Sequence, residues 1–352
     1  MKPKFIFFNT CGLGDYLIHS NIIKKLSKKY DIIAVCSEYN GKIISKQNFI
    51  KKIIYYNKDY SFFKKIKIFF NIIFNSYSLS MVFDLQYFSL FTNIFLFSAN
   101  KRSLVMKTPR FFFKYKFFSY FPNRIYQQIF LNKFCVITRP KHLNKIEHIP
   151  SKYKRLFNEF MDIKKMKSFY SFNDMKLFEN EKQYLLNKYK IKKFIFINFD
   201  DKWNDIKNID KDLFSVINKL SNNKIHIIIS SYKYNQKFFL NMVKNFTNFH
   251  IKLLKIKNSK IFYLKNPNVF LIERFVASSS CVISCHSGIA VHSAAANKIP
   301  ILDIVSYKRS IYLKSWMPNS NYYQIFKEKL NSKKFLINDI FDKIETIVKK
   351  VY

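Results

Sequence analysis

Two short stretches of this 352-residue chain combine residue types and spacing suited to chemistry. The first is Phe7-Phe8-Asn9-Thr10-Cys11-Gly12-Leu13-Gly14-Asp15, which holds two of only four glycines in the sequence. Ordinary usage of about 7% would supply roughly 25. Gly12 and Gly14 after an apolar run let the backbone turn tightly and a ligand approach it. Asp15 then opens a helix. Its carboxylate has two readings: a base facing a ligand cleft, or a first-turn residue favoured by the helix dipole. The spacing is not the dinucleotide fingerprint GxGxxG, because Leu17 stands where the third glycine would be.

The second stretch is Cys281-Val282-Ile283-Ser284-Cys285-His286-Ser287-Gly288, followed by Ile289-Ala290-Val291-His292. A strand is expected to end at Cys285, His286-Ser287-Gly288 to turn, and a helix to open at Ile289. Free N–H groups at such a helix start make an anion site that suits a diphosphate. Ala294-Ala295-Ala296 would let the helix pack closely. His286 and His292 are about 600° apart on a helix and share no face. With Cys281 and Cys285 they match no common zinc spacing. The thiols read as small buried hydrophobes, and no metal is expected.

The elements that must position these loops alternate between two periods. Continuous apolar runs at 5–8, 32–36, 53–56, 80–85 and 103–106 read as strands. Amphipathic runs at 16–29, 62–75 and 86–99 read as helices. Beyond a looser region from 107 to 167 the alternation restarts. Strands are expected at 193–199, 224–230, 249–254, 281–285 and 300–305, with helices at 181–189, 210–220, through about 245, 269–279 and 289–297. This order implies an α/β protein with parallel sheets covered on both faces, in two units at 1–170 and 178–335. A cleft between them is where ligands of open α/β sheets usually lie. Residues 336–352 read as an amphipathic helix that packs back across the halves.

Composition narrows the class. Hydrophobic residues make up 49% and aromatics 19%, which supplies packed cores and excludes disorder. Lys plus Arg is 62 against 22 acids, a formal charge of +40. That charge suits a polyanionic partner, such as nucleic acid or an anionic membrane surface, or reflects biased coding rich in Lys, Asn, Ile, Phe and Tyr. The stretch KTPRFFFKYKFFSYFPNR at 107–124 reads as a bilayer-docking or base-stacking element, or as a helix with core aromatics and solvated lysines. Five cysteines in no framework spacing indicate free thiols. The N-terminal apolar run is too short for a signal peptide, and no clean span of ~20 apolar residues occurs. The expected location is the cytoplasm, with peripheral contact at the inner membrane.

Four stretches, in order, resemble the heptosyltransferase family, glycosyltransferase family 9. They are CGLGDYLIHSNIIKKL, YSLSMVFDLQYFSLFTNIFLFSANKRSLV, FIFINFDDKWNDIKNIDKDLFSVINKL and LIERFVASSSCVISCHSGIAVHSAAANKIPILDI. The resemblance implies the GT-B fold, two Rossmann-like domains facing a cleft, with the acceptor side first and the nucleotide-sugar side second. It makes Asp15 the candidate catalytic base and Lys202 and Trp203 the donor-phosphate contacts. It makes His286, Ser287, Gly288 and His292 part of the donor signature. His286 stands where the family has Asp, and the Gly288-to-His292 spacing is one residue longer. An ADP-heptose donor therefore does not follow.

The reading is an inverting transferase taking a nucleotide-diphosphate sugar as co-substrate, with no cofactor. Asp15 deprotonates the acceptor hydroxyl. Lys202 and the Ser287 and Gly288 amides stabilise the departing diphosphate. Glu273 is a candidate for the ribose or base, or is simply a solvated helix residue. The acceptor is a surface glycan or glycolipid precursor, or another lipid-linked glycan, and nucleic acid is disfavoured. Two alternatives share the architecture: a sugar-nucleotide epimerase, and a non-catalytic relative that binds lipid or nucleic acid.

Overall fold

The computed structural model describes residues 2–9, 13–57, 59–82, 99–107, 133–137, 176–206, 216–217, 219–220, 223, 225–231, 251–256, 259–314, 321–331 and 338–349. The chain divides into two compact units, Met1–Asp174 and Met175–Tyr352.

In the N-terminal unit the strands are β1 (Lys4–Asn9), β2 (Asp31–Cys36), β3 (Ile50–Tyr55), β4 (Tyr77–Val82), β5 (Ala99–Lys107) and β6 (Lys133–Ile137). They form one sheet in the order β3-β2-β1-β4-β5-β6, with every pairing parallel. Phe5, Phe7, Ile32, Ala34 and Val35 are fully buried, as expected of strands covered on both faces. The helices are α1 (Leu13–Leu26), α2 (Glu38–Ile44) and α3 (Phe62–Ile73). Ser37 and Ser61 cap α2 and α3 by accepting backbone N–H bonds. Because β2 and β4 flank β1, the loop into α1 leaves the sheet where strand order reverses, the usual place for a ligand site.

The C-terminal unit contains α4 (Lys176–Lys188), β7 (Phe194–Phe199), a 3-10 turn (Asp201–Asp205), β8 (His226–Ser231), β9 (Ile251–Ile256) and β10 (Ser259–Lys265). It continues with α5 (Val269–Ser278), β11 (Cys281–Ser284), α6 (Gly288–Ala296), β12 (Ile301–Val305), α7 (Tyr307–Lys314), β13 (Tyr322–Phe326), α8 (Lys327–Leu330) and α9 (Asn338–Lys349). The sheet order is β13-β12-β11-β7-β8-β10-β9. The expected all-parallel sheet needs one correction, since β9 runs antiparallel to β10. Only two residues separate these strands, and a parallel crossover needs a dozen or more. In α9, Ile340, Ile344 and Ile347 recur at helical spacing and enter the C-terminal unit's own core with Leu302 and Ile304.

No helix among the described residues is long and apolar enough to cross a membrane. The basic-aromatic stretch 107–124, apart from Lys107, which ends β5, and the helix expected through about 245 lie outside the described residues, as does the one at 86–99 apart from Ala99, which opens β5.

Candidate anion site at the end of a parallel sheet

Strands β7 and β11 are parallel neighbours, with Asn198 paired to Ser284. The segments that follow them therefore leave the sheet side by side. After β7, the Asp200 carboxylate accepts the Lys202 backbone N–H at 3.1 Å and starts the 3-10 turn. Trp203 pins that turn from below. Its ring lies 4.4 Å from that of Phe199, and its indole N–H donates to the Asn198 carbonyl at 2.8 Å. With the turn fixed, the Lys202 ammonium reaches across and donates to the His286 carbonyl at 2.5 Å.

After β11 the backbone makes a costly bend. His286 has φ 52°, in the left-handed region that non-glycine residues rarely enter. Asp303 on β12, fully buried, holds it there. One carboxylate oxygen accepts the His286 backbone N–H at 2.7 Å. The other lies 2.7 Å from His286 Nδ1 and accepts the Tyr322 hydroxyl of β13 at 2.6 Å. Burial and the Asp303 charge push the Tyr322 hydroxyl well above its ordinary range. A carboxylate on Nδ1 directs the other ring nitrogen, Nε2, away from the sheet, and the His286 side chain is 24% exposed.

Ser287 is the N-cap of α6, but its hydroxyl makes no capping bond. The first-turn amides of α6 thus have no side-chain cap among the described residues, and the helix dipole adds partial positive charge. Four positions further on, Val291 N–H bonds back to the Ser287 carbonyl at 2.9 Å. A helix start of this kind, with an ammonium fixed beside it, binds anions.

Several expected roles change. The Ser287 amide is already committed to Ser284 Oγ at 2.9 Å, so the available amides start at Gly288. Trp203 is buried and its indole N–H is already donated to the Asn198 carbonyl, which leaves its side chain no donor for a phosphate. His292 is buried one turn into α6, about 6 Å along the axis from Gly288, and lies outside the first turn.

Glu273 is 1% exposed, paired with the Arg274 guanidinium, and hydrogen-bonded to the side chain of Asn297. Burial raises its carboxyl pKa, opposed by those two partners. Asn297 closes the far end of α6, about 13 Å from the first turn, so Glu273 belongs to a helix seam. Glu179 and Lys182 of α4 complete that seam, 2.5 Å apart.

Among the described residues, no group of three His, Cys, Asp or Glu could hold a metal ion. Burial pushes the Cys281 and Cys285 thiols up to about 12.

In the N-terminal unit, Asp15 is the third residue of α1, which starts earlier than the expected Tyr16. Gly12 lies outside the described residues. Gly14 sits inside α1, and none of the described glycines has positive φ, so a left-handed turn is not what Gly14 supplies. Beside this start the sequence reading missed two buried polar groups. The Asn9 amide and the Tyr16 hydroxyl make no hydrogen bond among the described residues, where buried polar groups are nearly always bonded. Tyr16 stacks on Phe7 at 6.5 Å, and burial raises its hydroxyl pKa.

No protein-family model and no curated protein sequence matches the chain. Solved structures do. A glycosyltransferase family 9 protein from Veillonella parvula DSM 2008 matches with TM-score 0.66 at 10% identity, over 99% of this chain and 97% of that one. The E. coli heptosyltransferase WaaC with ADP matches with TM-score 0.61 at 12% identity, over 99% of both chains. A UDP-N-acetylglucosamine 2-epimerase is less similar, with TM-score 0.51 at 10% identity, over 99% of this chain and 88% of that one. The chain therefore has the GT-B fold and resembles the family 9 glycosyltransferases over nearly its whole length.

Proposed function

We propose that this chain is an inverting glycosyltransferase that moves a sugar from a nucleotide-diphosphate sugar to a hydroxyl of a glycan or lipid-linked acceptor. The observation that carries the reading is the uncapped start of α6 with Lys202 anchored beside it on the His286 carbonyl. As the anomeric carbon–oxygen bond breaks, negative charge grows on the departing diphosphate. Preorganised amides from Gly288 onward and the Lys202 ammonium stabilise that charge. His286, held by Asp303, keeps its carbonyl in place as the anchor for Lys202. The acceptor oxygen bonds to the anomeric carbon from the opposite face and gives its proton to Asp15. Likeness in fold to a heptosyltransferase with ADP supports the nucleotide half of this reading.

The test is turnover of a verified donor and acceptor pair. Asp15→Asn should lower kcat by about 10²–10⁴ while leaving donor affinity and Tm unchanged, and the wild-type product should carry an inverted anomer. Full turnover by Asp15→Asn removes the assigned base. Isomerised nucleotide sugar formed without acceptor replaces transfer with epimerisation.

A further inference from the structure

Helix α3 turns its aromatics outward. Phe62, Phe63, Phe70 and Phe74 are 66%, 82%, 48% and 79% exposed, and Ile72 is the one α3 residue that is buried. At 100° per residue, Phe63, Phe70 and Phe74 fall within about 40° of one another, opposite Ile72. Phe70 stacks on Phe74 along this line at 5.6 Å, and Phe62 and Phe69 contact Phe63 and Phe70 from one side of it, at 6.2 Å and 5.4 Å. Exposed apolar patches of this kind mark interaction surfaces.

The charges around the patch decide the partner. Lys64 and Lys67 lie along one side of the ring stripe, and Lys65 lies on the opposite face of the helix. Lys64 sits 3.4 Å above the Tyr60 ring. Between Tyr60 and Phe83 the sequence has no acidic residue. The nearest acids sit at one end of the patch, where Glu38 accepts the Tyr60 hydroxyl at 2.9 Å and Asp59 precedes Tyr60, so two copies meeting through Phe63, Phe70 and Phe74 would bring together more lysines than acids. An anionic bilayer meets both features, since the rings enter the headgroup–acyl boundary and the lysines reach lipid phosphates. We propose that α3 is a membrane-docking helix, seated through Phe63, Phe70 and Phe74 on an anionic lipid surface. This goes beyond the transferase reading and stands without it.

Sedimentation with vesicles tests it in the full-length protein. The wild type should bind vesicles containing roughly one third phosphatidylglycerol and leave pure phosphatidylcholine unbound. The triple variant Phe63→Ser/Phe70→Ser/Phe74→Ser, whose side chains are already solvated, should keep its Tm and lose at least about tenfold in binding. A Phe70→Trp reporter should shift its emission to the blue on the mixed vesicles. Equal binding by the triple variant, or bound reporter protein whose emission does not move, overturns the proposal and assigns binding to lysines elsewhere. A dimer that the triple variant abolishes, without vesicle binding, overturns it in favour of a second copy.

Discussion

Asparagine at position 303 keeps the shape of the buried side chain while removing its charge. The Asp303 carboxylate receives three short contacts: the His286 backbone N–H at 2.7 Å, His286 Nδ1 at 2.7 Å and the Tyr322 hydroxyl at 2.6 Å. Bonds to a charged acceptor contribute about 1.5–3 kcal/mol each. Asparagine retains one accepting oxygen, and its NH₂ now faces donors. Removing a buried charge recovers part of its desolvation cost. The net loss for Asp303→Asn is about 3 kcal/mol, or roughly 6–12 °C in the Tm of a unit this size. Tyr322→Phe removes a single donor and should cost about 1 kcal/mol. Because Lys202 anchors on the His286 carbonyl, loosening His286 should also weaken nucleotide binding. Urea unfolding at unchanged m-value reads the first effect, and calorimetric titration reads the second. A Tm for Asp303→Asn within about 1 °C of wild type would refute the claim that this carboxylate holds the loop.

Three other outcomes are expected. Lys202→Met should weaken nucleotide-sugar binding by about tenfold or more, since it removes a charge-assisted bond to phosphate, with only a small fall in Tm because the bond it loses to the His286 carbonyl is solvent-exposed and its ion pair with Asp200 is long at 3.8 Å. Glu273→Gln should leave donor affinity unchanged in the same titration, because the carboxylate sits at the far end of α6. Cys36, Cys281 and Cys285 should resist thiol reagents in the native protein at neutral pH, since burial pushes all three up to about 12. The folded state holds these protons more tightly than the unfolded chain, so this contribution is complete below the ordinary thiol range and is lost as pH rises from about 9 toward 12, measurable as falling Cm.

Strands buried on both faces were legible because their sequences are unbroken apolar runs, as at Phe5–Phe8, Ile32–Cys36 and Phe194–Phe199. Other strands were not. Ser259–Lys265 has the buried run Ile261–Leu264, but lysines bound it and the preceding strand ends only two residues earlier, while Tyr322–Phe326 is half-buried at every position on a sheet edge. Strand β4 begins at Tyr77, ahead of the expected 80–85, since Ser78 and Ser80 dilute its apolar signal. At the site, Lys202 and Gly288 were readable from the resemblance and the strand–turn–helix pattern. The Asp303–His286–Tyr322 network was not, because it depends on the register of β11, β12 and β13. The one available hint was a lone acid inside the apolar run Ile301–Val305. Nothing local announces that a histidine takes the left-handed bend that a glycine usually fills.

The central claim, that the start of α6 receives the diphosphate of a nucleotide sugar, is tested most directly by thermal shift. Wild type and Gly288→Asp would be screened against ADP-, GDP-, UDP- and CMP-sugars. The introduced carboxylate suits a helix first turn and so leaves the fold intact, but it repels phosphate. At about a hundredfold excess over Kd, a native-state ligand contributes about 2.7 kcal/mol, or roughly 5–10 °C. At least one donor should raise the wild-type Tm by that amount and leave Gly288→Asp unmoved. No shift with any donor, or equal shifts in both proteins, would contradict the claim.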